Sequence, residues 1–208
     1  MIIFIKIGPY IPLKQSLNKY QSYNLITLQK YDPPLDETRI NSYLKNTKKD
    51  LAKIDYLLTS NLKRALQTSQ FLKTNHLIKQ KVKIQKTCYL NEIKFSMAKL
   101  CSQQEYRQHQ SIIVRQRFIS AFIADTLTES HQDIQKRFIL LEKQIAKLQS
   151  DHQNIACISH TFFIKIYSVY KKHPDIFEHP EIIKKYLNPN KKIMDFCSTK
   201  KLHLGSIY

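Results

Sequence analysis

Three short apolar runs, Met1–Ile7, Ile54–Thr59 and Asn154–Ser159, set the main limit on how this chain can fold. Each is nearly continuous rather than alternating, the pattern of a strand covered on both faces. Between them the spacing turns helical. Pro33-Pro34-Leu35-Asp36 marks a helix entrance with Asp36 as candidate N-cap, and Ile40, Tyr43, Leu44, Thr47, Leu51 and Ile54 follow at helical intervals. Leu62, Ala65, Leu66, Ser69 and Leu72 mark a helix that starts just after Ser60-Asn61. Val82 and Ile84 alternate with lysines, which predicts a shorter strand towards a sheet edge.

Residues 94–127 are mostly helical in pattern, with Ile113, Arg117 and Phe118 near the middle. Ser130-x-x-Asp133 has the form of a capping box and opens a helix whose stripe is Ile134, Phe138, Leu141, Ile145 and Leu148. Ile193-Met194-Asp195-Phe196 reads as a last strand. Strand and helix in alternation imply an α/β fold: a three-layer sandwich with a mainly parallel central sheet flanked by helices. The expected organisation is one domain over residues 1–208, with a helical insertion at about 94–127.

Composition removes several function classes. With only Gly8 and Gly205 in 208 residues, no Gly-rich nucleotide loop can be written. Cys88, Cys101, Cys157 and Cys197 form no C-x-x-C pair, so neither a zinc site nor a disulfide framework is signalled, and no metal or cofactor is implied. Free thiols point to a reducing, intracellular compartment, the cytoplasm or the matrix side of a mitochondrion. No apolar run is long enough to span a bilayer, and the N-terminus has no basic leader.

The formal charge of +18 is unevenly spread. Residues 63–117 hold twelve Lys/Arg against two Glu, whereas residues 118–170 hold five of each sign. Two readings stand: a basic face for RNA, acidic lipid or acidic proteins, or a solvated surface produced by a Lys-rich coding bias.

In a parallel sheet the ligand site lies beyond the carboxyl ends of the strands, which selects Lys6–Tyr10, Thr59–Arg64, Glu92 and Ser159–His160. Arg64 would sit in the first turn of a helix, where its fork of donors suits a phosphate or carboxylate. Singly, each residue has an ordinary explanation as a surface arginine, a solvated glutamate or a helix-capping histidine.

Their order is more specific. Phe4-Ile5-Lys6-Ile7-Gly8, Asp32-Pro33-Pro34-Leu35, Ser60-Asn61-Leu62-Lys63-Arg64-Ala65-Leu66-Gln67-Thr68, Leu90-Asn91-Glu92-Ile93-Lys94-Phe95 and Ile158-Ser159-His160 occur in sequence along most of the chain. Together they resemble the blocks of the histidine phosphatase superfamily, which has the phosphoglycerate-mutase-like fold. That resemblance implies a nucleophilic histidine after the first strand, two arginines and a second histidine around the phosphoryl oxygens, and an acid for the leaving group. Matched block by block, Lys6, Arg64 and His160 would bind phosphate and Glu92 would be the acid. Ile7, however, stands at the nucleophile position and Lys6 at that of the first arginine.

An aliphatic side chain cannot form a phospho-enzyme, and the first histidine in the chain is His76. Lys6 also lacks the bidentate fork of an arginine. Two further positions depart from the family pattern: Arg39 lies near the expected glycine of the first helix opening, and Ser96 follows Phe95 where glycine is usual. The expectation is therefore a pseudoenzyme with no intact catalytic set, Glu92 and His160 being remnants. It would serve as a structural or binding subunit of a larger assembly, organellar or ribonucleoprotein. Alternatives are a phosphate-ligand sensor, a phosphatase with residual activity, and a nucleic-acid-binding module based on residues 63–117.

Overall fold

The computed structural model describes residues 2–6, 40, 44, 48–109, 111–187 and 199–202. The strands are β1 (Ile2–Lys6), β2 (Tyr56–Ser60), β3 (Lys83–Thr87), β4 (Ile155–Ser159) and β5 (Thr199–Leu202). They form a sheet in the order β3-β2-β4-β1-β5. The first four are mutually parallel and β5 runs antiparallel to β1. The helices are α1 (Lys48–Leu51), α2 (Lys63–Thr74), α3 (Met97–Leu100), α4 (Gln103–His109), α5 (Ser111–Ile123), α6 (His131–Gln149), α7 (Thr161–Tyr170) and α8 (Ile183–Tyr186).

The apolar runs are strands with two buried faces. In β1, Ile2 and Phe4 enter one core while Ile3 and Ile5 enter the other; in β4, Ile155 and Cys157 divide from Ala156 and Ile158 in the same way. The first core takes α6 and α7 through Ile134, Phe138, Leu141, Phe163 and Tyr167; the second takes α2 through Ala65, Phe71 and Leu72. A sheet with an apolar layer on each side is the three-layer sandwich expected from the sequence. Each fully buried Phe, Leu or Ile contributes about 1.5–3 kcal/mol. In the first core the rings of Phe118 and Phe162 stack at 3.8 Å between centroids.

The predicted elements shift slightly. The second strand begins at Tyr56, since Ile54 closes the turn after α1 by donating its N–H to Leu51 O. The helical stretch divides into α3, α4 and α5. Ser130 caps α6 by accepting the Asp133 N–H at 3.2 Å, and its hydroxyl donates to Asp133 Oδ2 at 2.7 Å. β3 ends the described sheet, as its alternation with lysines predicts. The strand expected at Ile193–Phe196 lies outside the described residues, as does the helix entrance at Asp36. No described helix is long and apolar enough to cross a membrane.

Candidate functional site at the strand ends

Parallel register aligns the last residues of the strands. Lys6 stands opposite Ser159, and Ser60 opposite Thr87. Just beyond this row the chain turns into α2 after Leu62 and into α7 after His160, so two helix N-termini open beside it. Lys6, Ser60, Ser159 and His160 are all buried. Ile7 lies outside the described residues.

A chain of hydrogen bonds determines which nitrogen of His160 carries its proton. The Asn61 backbone N–H donates to Asn91 Oδ1 at 2.9 Å, so that atom is the amide oxygen. The Ser60 hydroxyl, 2.8 Å away, must then donate to it. With its one proton so used, Ser60 Oγ accepts the Leu62 N–H at 3.2 Å and faces His160 Nε2 at 2.9 Å. The imidazole is therefore the donor, with Nε2 protonated and the lone pair on Nδ1. Burial brings its pKa down to about 3, helped by the positive charges of Arg64 and Arg137, so at neutral pH the ring is uncharged.

Glu92 reaches the start of α7, the helix that follows His160. Its carboxylate accepts the N–H of Phe163 at 2.8 Å, of Phe162 at 3.3 Å and of Ile93 at 3.1 Å. His160, the N-cap residue, makes no side-chain cap of its own. Glu92 thus satisfies donors that a helix opening leaves unpaired, and its negative charge suits the positive end of the helix dipole. The anion-binding capacity expected at His160 is partly taken by this internal carboxylate. Burial raises the Glu92 pKa against the pull of those N–H groups and Arg137.

Arg64 occupies the first turn of α2, half-buried, with its charge felt at His160. Thr68 Oγ1 ties that turn by donating to Arg64 O at 2.7 Å. The structure thus brings Arg64, Glu92 and His160 to one end of the sheet, with Lys6 in register on β1.

Sequence reading missed a third cation, Arg137 of α6. Its guanidinium donates from Nη1 to Asn91 O at 2.5 Å and from Nη2 to Glu129 Oε2 at 2.9 Å, with Nε 2.8 Å from Glu129 Oε1. It also lies over the Phe163 ring at 5.1 Å. Glu129 in turn accepts the Lys94 N–H at 3.0 Å. Burial lowers the Arg137 pKa, while Glu129 and Glu92 hold it up. This ion pair braces the loop that carries Asn91 and Glu92. Within α6, Arg137 is flanked by Ile134 and the core residue Phe138, and no local pattern sets it apart from an ordinary helix arginine. Asn91 was visible only as the neighbour of Glu92.

Glu92 and Arg137 also line a hollow of about 240 Å³ between the Cys88–Lys94 segment and α6. His160, Arg64 and Lys6 are absent from its lining, so this hollow is separate from the row of strand ends. Among the described residues, no group of three or more His, Cys, Asp or Glu is placed to hold a metal ion.

Comparison with known proteins follows the same lines. The family model "Histidine phosphatase superfamily (branch 1)" matches residues 24–180. Among solved structures, the chain is similar to a mycobacterial glucosyl-3-phosphoglycerate phosphatase complexed with VO3 (TM-score 0.57, 15% identity, covering 95% of this chain and 88% of that one). It is also similar to the alpha-ribazole phosphatase of Shigella flexneri (TM-score 0.53, 19% identity, covering 86% and 83%). A third is phosphoglycerate mutase from Bacillus anthracis (TM-score 0.50, 15% identity, covering 84% and 80%). No curated protein sequence matches the chain.

Proposed function

The chain belongs to the histidine phosphatase superfamily, and from that premise we propose that it is a pseudoenzyme of that family, serving as a structural or binding subunit of a larger assembly. The observation that carries this reading is the end of β1. The last described residue of the strand is Lys6, level with Ser159, and the next residue in the sequence is Ile7, which has no atom able to attack phosphorus. His160 matches the family's second-histidine block rather than its nucleophile block; it is buried and donates its Nε2 proton to Ser60, and Ser60 is in turn held by Asn91. Glu92, the matching acid, is engaged in capping α7.

The proposed role is tested by two measurements on the native protein. Hydrolysis of a generic phosphate ester should not exceed background, and in gentle extracts the chain should migrate well above the size of a 24.7 kDa monomer. Turnover by a monomeric protein would overturn the reading.

A second reading rests on the closeness of Arg64 and His160, whose pKa is lowered by burial and by the Arg64 charge: the strand-end site binds a phosphorylated ligand without turning it over. Inorganic phosphate at millimolar concentration should then raise the melting temperature, and Arg64→Ala should remove the shift. Absence of any shift in the wild-type protein would contradict it.

A further inference from the structure

The structure redistributes the excess positive charge. Of the basic residues between 63 and 117, Arg117 lies on α5 and pairs with Glu105 at 2.9 Å, so part of that charge is neutralised locally. Lys83 of β3 instead shares its sheet face with the side on which α6 packs, and α6 carries three exposed lysines within a segment of balanced charge.

The alignment follows from two contacts and two periodicities. Thr87 Oγ1 donates to Gln144 Oε1 at 3.0 Å, fixing α6 beside the end strand, and Asp133, Lys136, Arg137 and Leu140 line the hollow shared with Cys88 and Tyr89. Lys136, Leu140, Lys143 and Lys147 recur at spacings of four, three and four, so the three lysines form one stripe down that flank of the helix. On β3, Lys83 lies on the same sheet face as Thr87 by strand alternation, and Lys81 precedes it in the turn. All five lysines are exposed.

The acids that flank the stripe in sequence are Asp133, whose carboxylate accepts the Ser130 hydroxyl, and Asp151, which accepts the Ser150 hydroxyl. Glu142 is buried elsewhere on α6, against Lys171 and Tyr167. No Asp or Glu occurs anywhere between residues 56 and 91. Lysines on an end strand also keep it from pairing with other chains, which accounts for Lys83 but not for a stripe on the adjoining helix.

From Lys136 to Lys147 the stripe runs about 16 Å, enough to face several phosphates along one strand of a duplex. The large hydrophobics exposed among the described residues are Leu62, Ile112, Ile139 and Tyr186. Among these only Tyr186 is aromatic, and it lies on α8; the partly exposed Tyr89 sits in the hollow beside Lys136, at one end of the stripe and not along it, where a stacking platform for a single strand would have to lie. We propose that the flank formed by Lys81, Lys83, Lys136, Lys143 and Lys147 binds the phosphate backbone of a nucleic-acid duplex without reading its bases.

The test is anisotropy of a labelled 20-base-pair DNA duplex with the full-length protein, over salt from about 50 to 200 mM. Five lysines each neutralising one phosphate give a log–log salt slope of about −4 to −5. The variant Lys136→Gln/Lys143→Gln/Lys147→Gln should weaken binding at low salt at least tenfold and reduce the slope by about three. Lys99→Gln/Lys184→Gln/Lys185→Gln removes the same charge from other exposed sites and should change affinity less than about twofold. Unchanged melting temperatures would show that both variants fold. Equal losses in the two variants would overturn the proposal in favour of net charge alone. Binding to phosphatidylserine vesicles without binding to the duplex would overturn it in favour of a membrane surface.

Discussion

His160 donates its Nε2 proton to Ser60 Oγ across 2.9 Å, joining two strand ends 100 residues apart in the chain. The direction of that bond is imposed from outside the ring, through Asn91 and the Asn61 backbone N–H. A residue that resembles a phosphate ligand is therefore also a structural donor in the core.

Removing a link of this chain should cost stability. Ser60→Ala leaves the buried His160 Nε2–H without its acceptor, at about 1–3 kcal/mol for a buried donor left unpaired, and also removes the acceptor of the more exposed Leu62 N–H. Asn91→Ala should cost a similar amount. Urea unfolding checks both. A Ser60→Ala midpoint equal to wild type would mean that the chain contributes nothing.

The low pKa of His160 makes stability depend on pH. The unfolded ring takes up a proton near its usual value of about 6.5, while the folded ring resists until about 3. The unfolded state thus binds more protons in between, so stability is full above about pH 6.5 and falls as pH drops towards 3, by up to about 1.4 kcal/mol per unit. The raised Glu92 pKa acts in the opposite sense, since its burial favours the protonated carboxyl in the fold. His160→Gln keeps a donor for Ser60 but cannot titrate. Its unfolding midpoint should vary less between about pH 4 and 6.5 than that of wild type; an unchanged slope would contradict the assignment.

Substitutions at Glu92 separate its part in the fold from its effect on the strand-end site. Glu92→Ala removes the cap of α7 and should cost about 1–2 kcal/mol by urea unfolding. Glu92→Gln removes the carboxylate charge at the opening of α7 and keeps an acceptor, so any affinity of the strand-end site for inorganic phosphate should rise in that variant. Weaker phosphate binding by Glu92→Gln would show that the carboxyl group helps the anion rather than opposing it.

The Glu129–Arg137 pair should behave as a buried brace. Glu129→Gln leaves the guanidinium without its main counter-charge and should cost about 3 kcal/mol. Calorimetry checks the loss, and a melting temperature within a degree of wild type would refute it.

Much of the sheet is legible in the sequence because a strand buried on both faces must be apolar throughout, as Ile2–Ile5 and Ile155–Ile158 are. The site is legible where it coincides with strand ends and short blocks, as at Arg64, Glu92 and His160. Asn91 and Arg137 are not, because their significance lies in partners 31 and 46 residues away that only the folded chain brings near. The α6 lysines were hidden in a segment of balanced charge, and helix geometry separates them from Glu142.

A pseudoenzyme lacking a nucleophile at Ile7, as proposed, forms no covalent phospho-intermediate. Incubation with a 32P-labelled phosphoryl donor, followed by assay for an acid-labile protein adduct, tests it most directly. The expected result is no adduct on the wild-type chain and a detectable one on Lys6→Arg/Ile7→His, which restores the residues of the family pattern. A stoichiometric adduct on the wild-type protein would contradict it.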